Sequence, residues 1–224
     1  MPRPVIRNAN LRIASLPVIA ALAVPPVALA ASGGSGVAVP GAPAATAAHT
    51  ASVSGNGITL TGRDATMNGG WLPLRGTVSP GAKGDTVELQ QQTGSNGSFQ
   101  VTWHPHLWGS VPLRATLAGG SRVSPSLTVT VYRSAIATLY GPTLWGRHTA
   151  CGEKLTHQTL GVANRKLPCG TPVTLYYQGR TIVVPVIDRG PYANHANWDL
   201  TMATGAALGM KETETIGALM VRTG

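Results

Sequence analysis

Acidic residues are scarce in this 224-residue chain, with eight Asp and Glu against 17 Lys and Arg. Two of them stand where a carboxyl group would be held in place. Glu153 follows Cys151-Gly152, and Asp188 closes the apolar run from Ile182 to Ile187 at a turn made by Arg189-Gly190-Pro191. Two such groups suit cleavage of a glycosidic bond, which needs a proton for the leaving oxygen and a negative charge near an oxocarbenium-like centre. Asp188 has a structural alternative, since its oxygens could accept hydrogen bonds from the amides of its own turn. Glu153 has less structural reason to be where it is. Around the pair stand Tyr140, Trp145, His148, Asn164, Arg189, Tyr192 and Trp198, the candidate substrate-binding residues. Each ring alone fits a core as well as a groove, but as a group beside polar turns one or two are expected to face a sugar.

The elements that position these residues read as short strands. Ala135 to Tyr140, Leu160 to Ala163, Pro172 to Tyr177, Thr181 to Ile187 and Thr215 to Val221 alternate or run apolar between turn residues. One helix is expected after Asp199, which is placed to cap it and is therefore set apart from catalysis. Leu200, Ala203, Ala207 and Leu208 give that helix an apolar face, and Gly209 stops it. Five or six strands with one short helix suggest a closed barrel. Cys151 and Cys169, the two cysteines, are expected to form a disulfide if the chain is exported. Such a bond closes a loop of about 18 residues, worth on the order of 3 kcal/mol. A catalytic thiol is the poorer reading, because neither cysteine sits in a nucleophile motif.

Export is read from the first 30 residues. Arg3, Arg7 and Arg12 precede the apolar run from Leu16 to Ala30, which ends Ala28-Leu29-Ala30, the layout of a signal peptide. The run is about 15 residues, short of the roughly 20 a membrane span needs, so no membrane anchor is expected after cleavage. The formal charge of +9 then falls to +6 as three arginines leave. Basic residues are scattered, which favours anionic wall polymers over nucleic acid as the partner. Residues 31–51 are mostly Ala, Gly, Ser, Pro and Thr, with no large apolar residue, a linker expected to be disordered. From 52 to 133, alternating segments such as Gly57 to Thr61, Leu72 to Val78 and Ser98 to Trp103 give about six strands of a small immunoglobulin-like β-sandwich. There His104 and His106 make a weak metal signal, and Trp103 with Trp108 suits either a sugar platform or a core edge. Without a metal cluster, nucleotide loop or redox motif, no cofactor is expected, and a monomer is expected.

Several segments in register carry a resemblance. Ala137-Thr138-Leu139-Tyr140-Gly141, Arg147 to Glu153, Leu167-Pro168-Cys169-Gly170-Thr171, Asp188 to Tyr192, Asp199-Leu200 and Ala206 to Gly209 resemble the rare lipoprotein A (RlpA) family in order and near-equal spacing. The resemblance covers 135–224. It implies an all-β chain whose second part is a six-stranded double-psi β-barrel with one short helix, a fold shared with expansins. It also implies a lytic transglycosylase acting on peptidoglycan, secreted and wall-associated, whose functional Glu and Asp fall on Glu153 and Asp188. The family's histidine, in an AHRTLP segment, corresponds to Asn164 in Ala163-Asn164-Arg165-Lys166-Leu167-Pro168. Asparagine can orient water or a sugar hydroxyl but does not titrate near neutral pH. A mechanism resting on a carboxyl acid survives this change, and a non-hydrolytic, expansin-like wall-loosening module is the alternative. A structural or inhibitory barrel is the third reading.

Overall fold

The structure, a computed structural model, describes residues 44–79, 86–87, 91–92, 97–117, 120–193 and 195–220. The signal segment and most of the linker lie outside these residues. In chain order the strands are β1 (Thr46–Ala47), β2 (Thr50–Gly55), β3 (Ile58–Arg63), β4 (Ala65–Met67), β5 (Leu72–Val78), β6 (Thr86–Val87), β7 (Gln91–Gln92), β8 (Ser98–Trp103), β9 (Gly109–Leu113) and a long β10 (Leu127–Leu139). A 3-10 turn at Pro142–Leu144 follows, then β11 (Val162–Ala163), β12 (Pro172–Tyr177), β13 (Arg180–Asp188), β14 (Trp198–Leu200), helix α1 (Met202–Leu208) and β15 (Glu214–Met220).

Alternation builds the first part. Strands β2, β3, β5 and β8 form an antiparallel sheet, and β4 and β9 flank the first half of β10 as a second layer. Ile58 and Leu60 of β3, Leu72, Leu74 and Val78 of β5, and Leu127, Val129 and Val131 of β10 are buried together as one core. Strand β2 begins at Thr50, so the composition boundary at 51 falls inside a strand. Residues 46–47 also pair, with Thr46 opposite Thr181 and Ala47 opposite Arg180. Residues too small to build a core can still add backbone hydrogen bonds to a sheet edge, which a compositional reading misses.

The second half of β10 opens the barrel. Its order around the circuit is β10, β14, β11, β13, β12, β15 and back to β10. The β10–β14 and β11–β13 pairs are parallel and the other four antiparallel. Val173, Leu175, Ile182, Val184, Val186, Leu200, Leu208 and Ile216 fill the interior. The helix cap differs from expectation: Thr201 caps α1, its hydroxyl accepting from the Thr204 amide, while Asp199 lies within β14. Gly209 ends the helix with φ 80°, as expected of a left-handed stop.

Sandwich and barrel are not strung on a linker. They share β10, and at its midpoint Ser134 donates its amide and hydroxyl to Asn68 Oδ1 and O at 2.6 and 2.7 Å. Beside this point Tyr132 stacks on Tyr176 with centroids 5.1 Å apart, packed with Ala65, Met67 and Leu219. Gly217 faces this stack, and any Cβ there would collide with that of Tyr132.

Candidate functional site

The loop between β10 and β11 folds over the outside of the barrel. Tyr140, Leu155, Ala163 and Ile187, with Leu144 beside them, form a small apolar cluster separate from the interior. Within the loop, residues 149–153 make a tight hairpin in which the Thr149 amide donates to Glu153 O at 2.8 Å. The hairpin is fastened to β13 at two points, by Cys151 N to Ile187 O at 3.3 Å and by Ala150 N to Asp188 Oδ1 at 2.7 Å. The expected disulfide between Cys151 and Cys169 is present, with Cα atoms 5.7 Å apart. It ties the hairpin to the turn ahead of β12.

Asp188 is the most firmly held side chain of the region. Oδ1 accepts from the amides of Ala150 and Arg189, at 2.7 and 2.8 Å, and Oδ2 accepts from the Tyr140 hydroxyl at 2.8 Å. Donors thus converge on both oxygens. Burial, then the hydrogen bond to Asp188, push the Tyr140 phenol far above the ordinary tyrosine range, so it stays protonated and donates to Asp188.

Strand register sets a second carboxyl group beside the first. Asp188 pairs with Ala163, Ala163 with Asp199, and Asp199 with Thr138, so these four lie in a row across β13, β11, β14 and β10. Val162, Leu200 and Ala137 point into the core, which turns Ala163, Asp199 and Thr138 outward, and a register shift between β11 and β13 brings Asp188 into line with them although Val186, two residues back, lies in the core. Two strand spacings separate the Asp188 and Asp199 backbones, about 10 Å, with only the Ala163 methyl between. Burial raises the Asp199 carboxyl above the usual range, and the Asp188 charge adds to this, while a 2.8 Å hydrogen bond from Thr138 Oγ1 opposes it. Sequence reasoning passed over Asp199 as a helix cap and did not single out Thr138. The signal was available in Trp198-Asp199-Leu200, a polar residue between two large apolar ones, which reads as a strand with one face out.

The other expected residues divide. Asn164 holds its own turn, its Oδ1 accepting from the amides of Lys166 and Leu167 at 3.0 Å each. Arg189 bridges the backbone oxygens of Asn164 and Asp188, at 3.4 Å each, and reaches Cys169 Sγ at 3.2 Å. Glu153 is exposed at the hairpin, its amide bonded to Thr149 Oγ1. His148 Nδ1 lies 3.0 Å from Gly152 O, and Trp145 packs against His157 with centroids 4.3 Å apart. Tyr192, 79% exposed, is free to meet a ligand. Trp198 is not: at 8% exposure it belongs to the barrel interior, because its pairing with Ala137 turns the indole inward. It cannot stack on a sugar.

A closed six-stranded barrel of mixed strands with a polar row outside and a strapped loop above it defines a double-psi β-barrel protein. A family model described as lytic transglycolase matches residues 134–222. That segment belongs to the RlpA-like double-psi β-barrel family. Among its relatives, the "Probable endolytic peptidoglycan transglycosylase RlpA" of Synechocystis is 33% identical over 103 residues, 45% of this chain and 32% of that protein. The protein of the same name from Aquifex aeolicus is 38% identical over 81 residues, 35% of this chain and 36% of its own. The "Endolytic peptidoglycan transglycosylase RlpA" of Pseudomonas aeruginosa is 32% identical over 110 residues, 48% of this chain and 32% of its own. The chain thus spans about a third of the length of these relatives. A solved structure, the Streptomyces papain inhibitor, aligns over 40% of this chain and 93% of its own at 28% identity, with a TM-score of 0.32.

Proposed function

We propose that the chain is a secreted cell-wall protein whose barrel cleaves peptidoglycan glycan strands as a lytic transglycosylase. The observation that carries this reading is the outward row that sets Asp188 and Asp199 on either side of Ala163, in a segment similar to relatives named endolytic peptidoglycan transglycosylases. A glycan strand approaches the two carboxyl groups from the side of the exposed hairpin, because Ala163 between them is itself covered by Tyr140, Leu155 and Ile187. Asp188, with donors on both oxygens, supplies fixed negative charge to the oxocarbenium-like carbon. Glu153 is the proton donor at the exposed hairpin whose Ala150 touches Asp188. Asp199, which keeps its proton to higher pH than an ordinary carboxyl group, is positioned as a second donor.

The bond breaks as its bridging oxygen takes the acid's proton and departs as an alcohol. The substrate's own hydroxyl then attacks the same carbon and returns a proton to the carboxylate, closing an anhydro ring without water and restoring the acid. No cofactor enters these steps, and one copy of the chain suffices. The signal-like first 30 residues and the disulfide fit action outside the cytoplasm.

One observation favours a second reading. Asn164 has no titrating group, and its oxygen is taken by its own turn, as suits an expansin-like module that binds and loosens wall polysaccharide. Incubation with purified sacculi separates the two. Anhydro-ended muropeptides are expected; binding without soluble product would replace the enzyme reading by the expansin-like one, and absence of binding would overturn both.

A further inference from the structure

We propose that the sandwich carries a glycan-binding surface of its own, built on Trp71 and Trp108, which holds the polysaccharide that the barrel acts on. The identity of that ligand rests on the function proposed above. Trp71 is 70% exposed and Trp108 56% exposed, an unusual display for rings that could have been buried. Both are held in place. Trp71 lies against the His104 ring with centroids 4.3 Å apart, and His104 Nδ1 is fixed 2.7 Å from Gly70 O. The Gly69 amide donates to Pro105 O at 2.8 Å, tying the turn that bears Trp71 to the segment that leads to Trp108. The Arg133 guanidinium sits 5.3 Å from the centre of the Trp108 ring. Rings fixed before binding lose little entropy on meeting a ligand.

The chemistry around the rings selects a sugar. His104 packs on Trp71, His106 packs on His104 and Arg133 sits over Trp108, so each indole has hydrogen-bonding groups beside its apolar face, as a pyranose has hydroxyls beside its C–H face. The core of a protein interface is instead depleted of charge. The surface is also joined to the barrel through β10. From Arg133 the backbone of β10 runs to Thr138 in the outward row, five residues or about 17 Å. Between them Asn197 exchanges two hydrogen bonds with Ile136, at 2.8 and 3.0 Å, and Asn164 Nδ2 lies 3.5 Å from Asn197 O. Five residues is an odd number of steps, so the Arg133 and Thr138 side chains leave opposite faces of β10, and the indoles hold the polysaccharide near the barrel without feeding it along one face.

The test uses the full chain in an Asp188→Asn background, so that the glycan survives, with Trp71→Ala, Trp108→Ala and the pair compared for co-sedimentation with purified sacculi. Each single change is expected to weaken binding about tenfold, the scale of losing an aromatic anchor, and Trp71→Phe to recover part of it with an unaltered melting curve. Unchanged binding in the double variant overturns the proposal. So does self-association of the unsubstituted chain that Trp71→Ala abolishes, which would make a second copy the occupant. Tryptophan-dependent binding, with no anhydro product released by the chain that keeps Asp188, removes the proposed function and leaves this one standing. Cleavage with tryptophan-independent binding does the reverse.

Discussion

Replacing Asp188 separates what its carboxylate does for the fold from what it does for chemistry. Three donors point at it: the amides of Ala150 and Arg189 and the hydroxyl of Tyr140. Asp188→Ala strands all three in a partly shielded place, at roughly 1 kcal/mol or more each, so a loss of about 3 kcal/mol is expected. For a folded part of this size that lowers the melting temperature by about 6–12 °C. Asp188→Asn keeps an oxygen for the two amides, and its Nδ2 can donate to the Tyr140 oxygen once that hydroxyl turns. Only charge assistance is lost, about 1–2 kcal/mol. Glycan cleavage should fall by about 100-fold or more in both variants if the negative charge supports the reacting carbon. The assay is release of anhydro-ended products from sacculi, alongside thermal melts. Activity within about threefold of the parent in Asp188→Asn, with a destabilised Asp188→Ala, would refute the catalytic role and leave Asp188 as the clasp of the loop.

Three further outcomes follow from the site. Because burial raises the Asp199 carboxyl in the folded state, the folded protein holds that proton more tightly than the unfolded chain. Stability should therefore decline as pH rises from the unfolded carboxyl value, about 3.9, through the higher folded value. Asp199→Asn should flatten that decline, as read by urea titrations at several pH values. Opening the Cys151–Cys169 bond by the double Ser change should cost about 3 kcal/mol, and should also lower activity, since the bond braces the hairpin that donates to Asp188. Unaltered melting would count against the bracing role. Asn164→His should add a limb near pH 6–7 to the activity profile, at a cost of about 1 kcal/mol for each of the two turn amides that lose the Asn164 oxygen.

Much of the barrel was legible because its strands carry their own signals. Pro172 to Tyr177 and the run into Asp188 appear where alternation and apolar runs place them. The disulfide followed from two cysteines and the export expected of the chain. What escaped depended on partners distant in sequence. Strand β14 is three residues long and is made a strand only by Ala137 and Ala163 on either side, so Asp199 looked like a cap and Trp198 like a groove wall. From the sequence, β10 divides between residue 133, where the sandwich ends, and Ala135, where the barrel begins. In the fold, Asn68, 66 residues away, satisfies Ser134 instead. Tyr140 was placed near the site, but that its hydroxyl would aim at Asp188 follows from the outer cluster, which no local pattern announces.

The shared strand also gives the two halves a common phase. Leu127, Val129 and Val131 face the sandwich core, and Ala137 faces the barrel core, all at odd positions. Because side chains alternate at every step, inserting one residue near Ser134 would leave one core correctly addressed and turn the other inside out. An insertion of two would preserve parity and shift only the neighbours along the ladder. The chain here resembles a single line of type set across two pages: neither half can be moved, lengthened or exchanged for a foreign module without counting residues in twos.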